Sequence, residues 1–187
     1  MRALAVGLDG KVYSGSCDAT VRVWSGDDGT HLQTLVGHTG GVYALAVGKD
    51  GAIYSGSDDF TIRVWSGEDG THLRTLVGHT STVRSLAVGL DGKVYSGSRD
   101  STVRVWSPDD GAHLQTLEGH AGDVCALAVS PDGNVFSGSF GGDIMVSSSN
   151  NGAHLHTLNA GILTSLAFGQ NGVLYSGHYD RVVFVWR

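Results

Sequence analysis

The sequence predicts an all-β chain assembled from copies of one four-stranded antiparallel sheet, and three observations carry that reading. Trp24, Trp65 and Trp106 are spaced 41 residues apart, as are Gly37-His38, Gly78-His79 and Gly119-His120, and self-similarity at such a period marks a repeat architecture. Short runs rich in β-branched and aromatic residues recur inside each period, with no helix-period segment between them. The 29 glycines against 2 prolines fit many tight turns between short strands.

The second period shows the elements in order: VYALAV (42–47), AIYSGS (52–57), TIRVW (61–65) and HLRTL (72–76) each read as a strand. Asp9-Gly10, Asp50-Gly51, Asp91-Gly92, Asp132-Gly133 and Asn171-Gly172 fall between the first two strands of each unit, where such dipeptides favour positive φ in two-residue hairpins. Asp28-Gly29, Asp69-Gly70, Asp110-Gly111 and Asn151-Gly152 fall between the third and fourth. Each unit is therefore an up-and-down sheet, and neighbouring copies supply cover for its two apolar faces. The expected organisation is a single domain over 1–187, with repeats at about 1–41, 42–82, 83–123, 124–162 and 163–187, the last lacking its outer strand.

The Gly-His pair followed by SGSxDxTVRVW resembles the WD-repeat family, whose fold is a β-propeller, and the resemblance covers essentially the whole chain. Ser66 and Ser107 stand where the family usually has Asp after the tryptophan. The resemblance implies a buried hydrogen-bonded tetrad within a blade, here His38, Ser57, Asp59 and Trp65, and in the next blade His79, Ser98, Asp100 and Trp106. Such groups are tolerable in a core only when they satisfy one another, so they read as framework.

The pattern breaks at the later units. The fourth keeps His120 and Ser139 but has Gly141 at the Asp position and Ser147 at the Trp position, so no tetrad is expected there. The fifth keeps Asp180 and Trp186, with His178 at the serine position and Asn159-Ala160 in place of Gly-His. No Gly-His precedes the first unit, and the chain stops at Arg187 after a third strand. Two arrangements stay open: a self-contained five-bladed ring, or an incomplete propeller whose end blades expose apolar faces and self-associate.

Because the repeats supply their own comparison, positions that change between copies stand out. The fourth letter of SGSxDx runs Cys17, Asp58, Arg99, Phe140, Tyr179, and the sixth runs Ala19, Phe60, Ser101, Gly142, Arg181. A further series, early in the innermost strands, runs Arg2, Tyr43, Arg84, Cys125, Thr164. The resemblance places the residue before the tetrad Asp, and the inner-strand series with it, on the top rim of the propeller channel. Aromatic and arginine side chains are enriched at protein interfaces, so Arg2, Tyr43, Arg84, Arg99, Asp58, Phe60, Phe140 and Tyr179 are the candidate partner-binding residues.

Other chemistry is set aside. A net charge of -6 without a basic stripe argues against nucleic-acid binding, and Arg22, Arg63 and Arg104 belong to separate units, where they are expected to be solvated or paired. Cys17 and Cys125 sit in different repeats, so neither a disulfide framework nor a four-ligand zinc site can be written from them. His31, His72, His113 and His154 recur at one fourth-strand position and are expected to be partly buried strand residues; His154 and His156, two apart, share a face and could make at most a weak two-ligand site. SGSFGGD (137–143) lacks the lysine and the following helix of a phosphate loop, and no G-x-S-x-G elbow occurs. No secretory signal or membrane span is apparent.

The expectation is a non-catalytic protein–protein interaction scaffold that docks a protein or peptide on its top face, without cofactor, metal, nucleic acid or membrane, in the cytoplasm or nucleus. One alternative is a fragment of a larger WD-repeat protein, such as a ubiquitin-ligase substrate-recognition subunit, without independent function. The other is an enzyme with a central propeller site.

Overall fold

The computed structural model describes residues 1–187, which form 19 strands and no helix. The first sheet contains β1 (Ala3–Val6), β2 (Val12–Gly15), β3 (Thr20–Trp24) and β4 (His31–Val36). The second contains β5 (Val42–Val47), β6 (Ile53–Ser57), β7 (Ile62–Trp65) and β8 (His72–Leu76), and the third β9 (Val83–Val88), β10 (Val94–Ser98), β11 (Val103–Trp106) and β12 (His113–Leu117). The fourth contains β13 (Val124–Val129), β14 (Val135–Ser139), β15 (Asp143–Ser147) and β16 (His154–Asn159), and the fifth β17 (Leu163–Phe168), β18 (Leu174–His178) and β19 (Val183–Trp186). Neighbours within a sheet follow chain order and are antiparallel, as expected from the run of short strands and glycine turns.

Burial between sheets holds the array together. Tyr13, Val21, Val23 and Leu35 of the first sheet close over Val42, Ile53 and Trp65 of the second. The third and fourth sheets repeat the arrangement, with Tyr95, Val103 and Val105 against Val124 and Val135. Each fully buried aliphatic side chain contributes about 1.5–3 kcal/mol, whereas a single small sheet exposing an apolar face is marginal in water. Inner strands β1, β5, β9, β13 and β17 pack in succession, each on the next. No comparable contact joins β17 to β1, so the five sheets form an arc that is not closed.

Two details of the backbone place the site. The pairing of β5, β9, β13 and β17 with their neighbours skips one residue, leaving Tyr43, Arg84, Cys125 and Thr164 as bulges, whereas β1 pairs with β2 without a shift. A bulge re-aims the side chain it carries and increases local twist, so these four residues leave the alternation of their strands. The second detail is the sixth letter of the SGSxDx motif: Ala19, Phe60, Ser101 and Arg181 have φ of 67°, 69°, 65° and 71°, and Gly142 has 92°. Their chemistry changes because the turn constrains the backbone and leaves the side chain free.

The Asp-Gly turns differ from the expected two-residue hairpins. Gly10 N–H donates to Gly7 C=O at 3.1 Å while Gly7 N–H donates to Lys11 C=O at 2.8 Å, and within the dipeptide only the glycine, at φ 81°, is left-handed. Asp9 instead accepts the Lys11 N–H at 3.1 Å, an Asx arrangement that closes the longer loop.

Candidate functional site

The polar framework lies within the second and third sheets. In the second, Trp65 Nε1–H donates to Ser55 Oγ at 2.8 Å, Ser55 Oγ lies 2.8 Å from His38 Nε2, and His38 Nδ1 lies 2.8 Å from Asp59 Oδ2. A relay in which indole donates to hydroxyl, hydroxyl to imidazole and imidazole to carboxylate gives every proton one acceptor. The third sheet repeats it with Trp106, Ser96, His79 and Asp100 at 2.8, 2.7 and 2.7 Å. The expected tetrad serines, Ser57 and Ser98, are therefore corrected to Ser55 and Ser96. Residues two apart share one strand face, so the motif SGS offers two candidates, and the reach of the indole selects the first. Ser57 instead donates to Gly40 C=O at 2.9 Å and accepts the Asp59 N–H at 3.1 Å, anchoring the turn.

The protonation states agree with this relay. Burial lowers the pKa of His38 and His79 despite their carboxylate partners, so both imidazoles are neutral at pH 7. For Asp59, burial acts upward but is outweighed by hydrogen bonds from Thr61, Thr39 and His38, which hold it at about 2.

The fourth and fifth sheets solve the same problem with other residues. A fourth-sheet tetrad was not expected, yet His120 Nδ1 lies 2.5 Å from Asp143 Oδ2 and His120 Nε2 lies 2.6 Å from Ser137 Oγ. Asp143, on β15 rather than in the turn, supplies the carboxylate absent at Gly141, and only the indole is lost, at Ser147. In the fifth sheet Trp186 Nε1–H donates to Ser176 Oγ at 2.8 Å, and His178 Nε2 meets that oxygen at 2.7 Å. An imidazole from the strand thus takes the place of the absent Gly-His histidine.

Other polar residues also depart from expectation. His31, His72 and His113 are exposed rather than partly buried, each edge-on to a tryptophan with ring centroids 5.4, 5.4 and 5.5 Å apart. Arg63 and Arg104 are neither solvated nor paired at Nε, which is buried without a hydrogen-bond partner. Their guanidinium groups lie where a side chain at Gly37 or Gly78 would have to go. No group of three or more His, Cys, Asp or Glu side chains is placed to hold a metal ion.

The variable residues gather on one rim. Backbone N–H groups of Asp58, Arg99, Phe140 and Tyr179 donate to the carbonyls of Gly41, Thr82, Asp123 and Ile162, each just before an inner strand, so the fourth letter and the bulge series are neighbours. Arg2 donates from Nε to Cys17 Sγ at 3.0 Å and lies 5.6 Å from the Tyr43 ring. Arg84 lies 5.9 Å from the Tyr43 ring and 5.3 Å from the Phe140 ring. Asp123 accepts from Arg99 Nε at 3.0 Å and lies 3.9 Å from an Arg84 nitrogen. The result is a continuous run of cations and rings across the first four sheets, each such contact contributing about 0.5–1 kcal/mol at an exposed site.

Five of the eight predicted rim residues, Arg2, Tyr43, Arg84, Arg99 and Phe140, join this run. Asp58 is held instead by the Thr82 hydroxyl. Phe60 and Tyr179 are exposed and make no ring or cation contact with it. Asp123 was missed, although its register position, occupied elsewhere by Gly41, Thr82 and Ile162, varies between copies and signals itself by the same comparison. Cys125 does not join this run: its thiol donates to Leu163 C=O at 3.1 Å, and burial pushes it up to about 11. Beneath the rim, the inner strands line an open depression of about 210 Å³ whose floor includes Leu45, Leu86 and Leu127.

The family model for the WD domain, G-beta repeat, matches residues 2–25, 29–66, 70–107, 111–152 and 152–187. The chain belongs to the WD-repeat family. In this WD-repeat chain the second and third matched units begin before an outer strand and end just past a tryptophan, one strand out of phase with the sheets, so each links two neighbouring blades. Among curated proteins, F-box/WD repeat-containing protein 7 of Drosophila melanogaster is 56% identical over 34 residues, which is 18% of this chain and 3% of that protein. The WD-repeat chain is thus a protein-interaction domain by family, and its match spans a small fraction of that relative's length.

Proposed function

We propose that this WD-repeat chain is a non-catalytic scaffold that docks a protein or peptide segment across the rim formed by Arg2, Tyr43, Arg84, Arg99 and Phe140. The observation that carries the reading is Arg84 lying against two aromatic rings from different blades, 5.9 and 5.3 Å away, with Asp123 on its flank. Arginine and tyrosine side chains already ordered in this way lose less entropy on binding, and they are the residue types that dominate interface energetics. The apolar floor beneath offers a place for a partner's side chain. The net charge of -6 disfavours a phosphate backbone as the occupant.

The test is a selection of displayed random peptides on the wild-type chain, followed by titration of enriched peptides against R84A and Y43A. Each substitution should weaken binding tenfold or more, about 1.4 kcal/mol, while L114A on an outer strand should not. Enriched peptides that bind R84A and Y43A as tightly as wild type would overturn the reading.

A further inference from the structure

The Asp-Gly turns that join the first strand of each blade to the second lie on the side of the array opposite the rim, and two of them hold an ammonium group in the same way. In the first blade Lys11 Nζ lies 2.9 Å from Asp9 Oδ2 and donates to the Gly67 carbonyl of the second blade at 3.2 Å. In the third blade Lys93 Nζ lies 2.9 Å from Asp91 Oδ2 and donates to the Ser149 carbonyl of the fourth at 3.0 Å. Each lysine thus bridges its own turn carboxylate to a backbone oxygen of the next blade.

The second blade has the same frame without the lysine. The position 41 residues from both Lys11 and Lys93 is Ala52. Asp50 keeps the backbone half of the arrangement, its Oδ1 accepting the Ala52 N–H at 3.1 Å, while its Oδ2 has no partner. The backbone oxygen equivalent to those of Gly67 and Ser149 is that of Pro108, which accepts no hydrogen bond. Tyr54 completes the set. It is 5% exposed, and its hydroxyl makes no hydrogen bond yet reaches the groove, whereas the hydroxyl of its counterpart Tyr95 is sealed in. Two cavities of about 370 and 40 Å³ share Asp50, Tyr54 and Pro108 as walls. The larger is also lined by Asp91 and Asp109, with Lys49 as its one cation, and Lys49 donates to the Leu90 carbonyl at 3.2 Å. Arg74 lines the smaller and donates to the Asp109 carbonyl at 2.6 Å. Neither cation pairs with Asp50.

We propose that this groove between the second and third blades is a docking site for a lysine side chain of a partner protein. The ammonium has three protons to place, and Asp50 Oδ2, the Pro108 carbonyl and the Tyr54 hydroxyl are three acceptors without a donor. An ammonium is the fitting cation because the two sister turns already hold one on the equivalent carboxylate and carbonyl, and a compact charge on a flexible stem suits acceptors drawn from two blades better than a planar guanidinium does. The groove continues from Asp50 to Leu90, Asp91 and Asp109 of the third blade, so the residues beside the lysine have a surface to lie on. That continuation favours a protein segment over a free amine.

The experiment titrates the 187-residue chain with a capped pentapeptide carrying one lysine between alanines, read by amide shifts. Saturable shifts are expected at Asp50, Gly51 and Ala52 and none at the rim, so the result is separate from peptide binding there. The same peptide with its lysine acetylated, and n-butylammonium, should each bind at least tenfold weaker. A52K places the lysine in the chain itself and D50N removes the charge at an exposed position; each should weaken binding tenfold or more. K11A should gain a second saturable response at Asp9, because it recreates the groove one blade earlier. The proposal is overturned if wild type shows no saturable response, if the acetylated peptide binds equally, or if A52K and D50N bind as wild type does. Equal affinity for n-butylammonium would overturn the protein segment as occupant.

Discussion

Ser96 Oγ takes the Trp106 indole proton and meets His79 Nε2, both bonds in a site without water access. Replacing it by alanine leaves two buried groups without partners, a cost of about 1–3 kcal/mol each where no relaxation follows. Ser96→Ala should therefore lower unfolding stability by roughly 2–3 kcal/mol and move one of the four indole N–H resonances, whereas Ser98→Ala should leave the Trp106 resonance in place. A shift of that resonance in Ser98→Ala alone would contradict the relay. The same groups set the response to acid. His38, His79 and His120 have folded pKa values below the ordinary 6.5, each through burial, so below that pH the unfolded chain binds more protons and stability falls. Asp59 and Asp100 are lowered by hydrogen bonds that outweigh burial, Asp59 to about 2, so their contribution is present above 3.8 and is lost as pH falls from there toward 2. Denaturant midpoints should thus hold level between about pH 7 and 8 and decline below that in two stages, one beginning near 6.5 and one below 4. A midpoint that is flat between pH 7 and 5 would refute the neutral imidazoles.

At the scale of the element, the turn between the second and third strands of each blade holds its sixth letter left-handed whatever residue occupies it. A residue with a Cβ loses about 1–2 kcal/mol in this conformation relative to glycine, partly offset by the greater freedom of glycine in the unfolded chain. Ala19→Gly should stabilise the chain by under about 1 kcal/mol and Gly142→Ala should destabilise it, both read from thermal or denaturant unfolding. The fourth blade allows a sharper test. Asp143→Ala removes the carboxylate from His120 and should cost about 2 kcal/mol. An added Cβ at Gly141 would lie 3.3 Å from Asp143 Oδ1, so Gly141→Asp brings two carboxylates together and should destabilise alone. The double variant restores the His-to-Asp spacing of 21 residues found in the second and third blades, and it should recover much of the loss. Additive losses in the double variant would show that the fourth blade no longer accepts the turn carboxylate.

At the scale of the whole molecule, each inner blade is covered on two faces and each end blade on one. Stability in a repeat array is a sum of unit and neighbour contributions, so local opening should begin at the ends. Amide exchange is expected to be fastest in β1 and β17–β19 and slowest in β6, β7, β10 and β11, whose residues are almost wholly buried. Uniform protection across the five blades would mean that the end faces are covered in solution.

Strand positions, sheet order and the places of the glycine turns were legible in the sequence because they follow from local chemistry: β-branched and aromatic runs and Asp-Gly pairs act over a few residues, and the 41-residue repeat shows them several times. The rim was legible as a set of changing letters, since a position that varies among otherwise matched copies is one the blade does not constrain. What the sequence by itself could not determine depends on distance through space. Ser55 and Ser57 are equivalent by alternation, and only the reach of Trp65 distinguishes them. Asp143 substitutes for a missing turn carboxylate because β15 carries it within 2.5 Å of His120. Arg84 meets rings from two other blades, and Asp123 meets two arginines, because the bulges re-aim side chains and the arc packs each inner strand on the next. The tertiary structure also decided that Tyr175, Val183 and Val185 stay uncovered while identical positions in the first blade are buried, since burial belongs to the neighbour as much as to the residue.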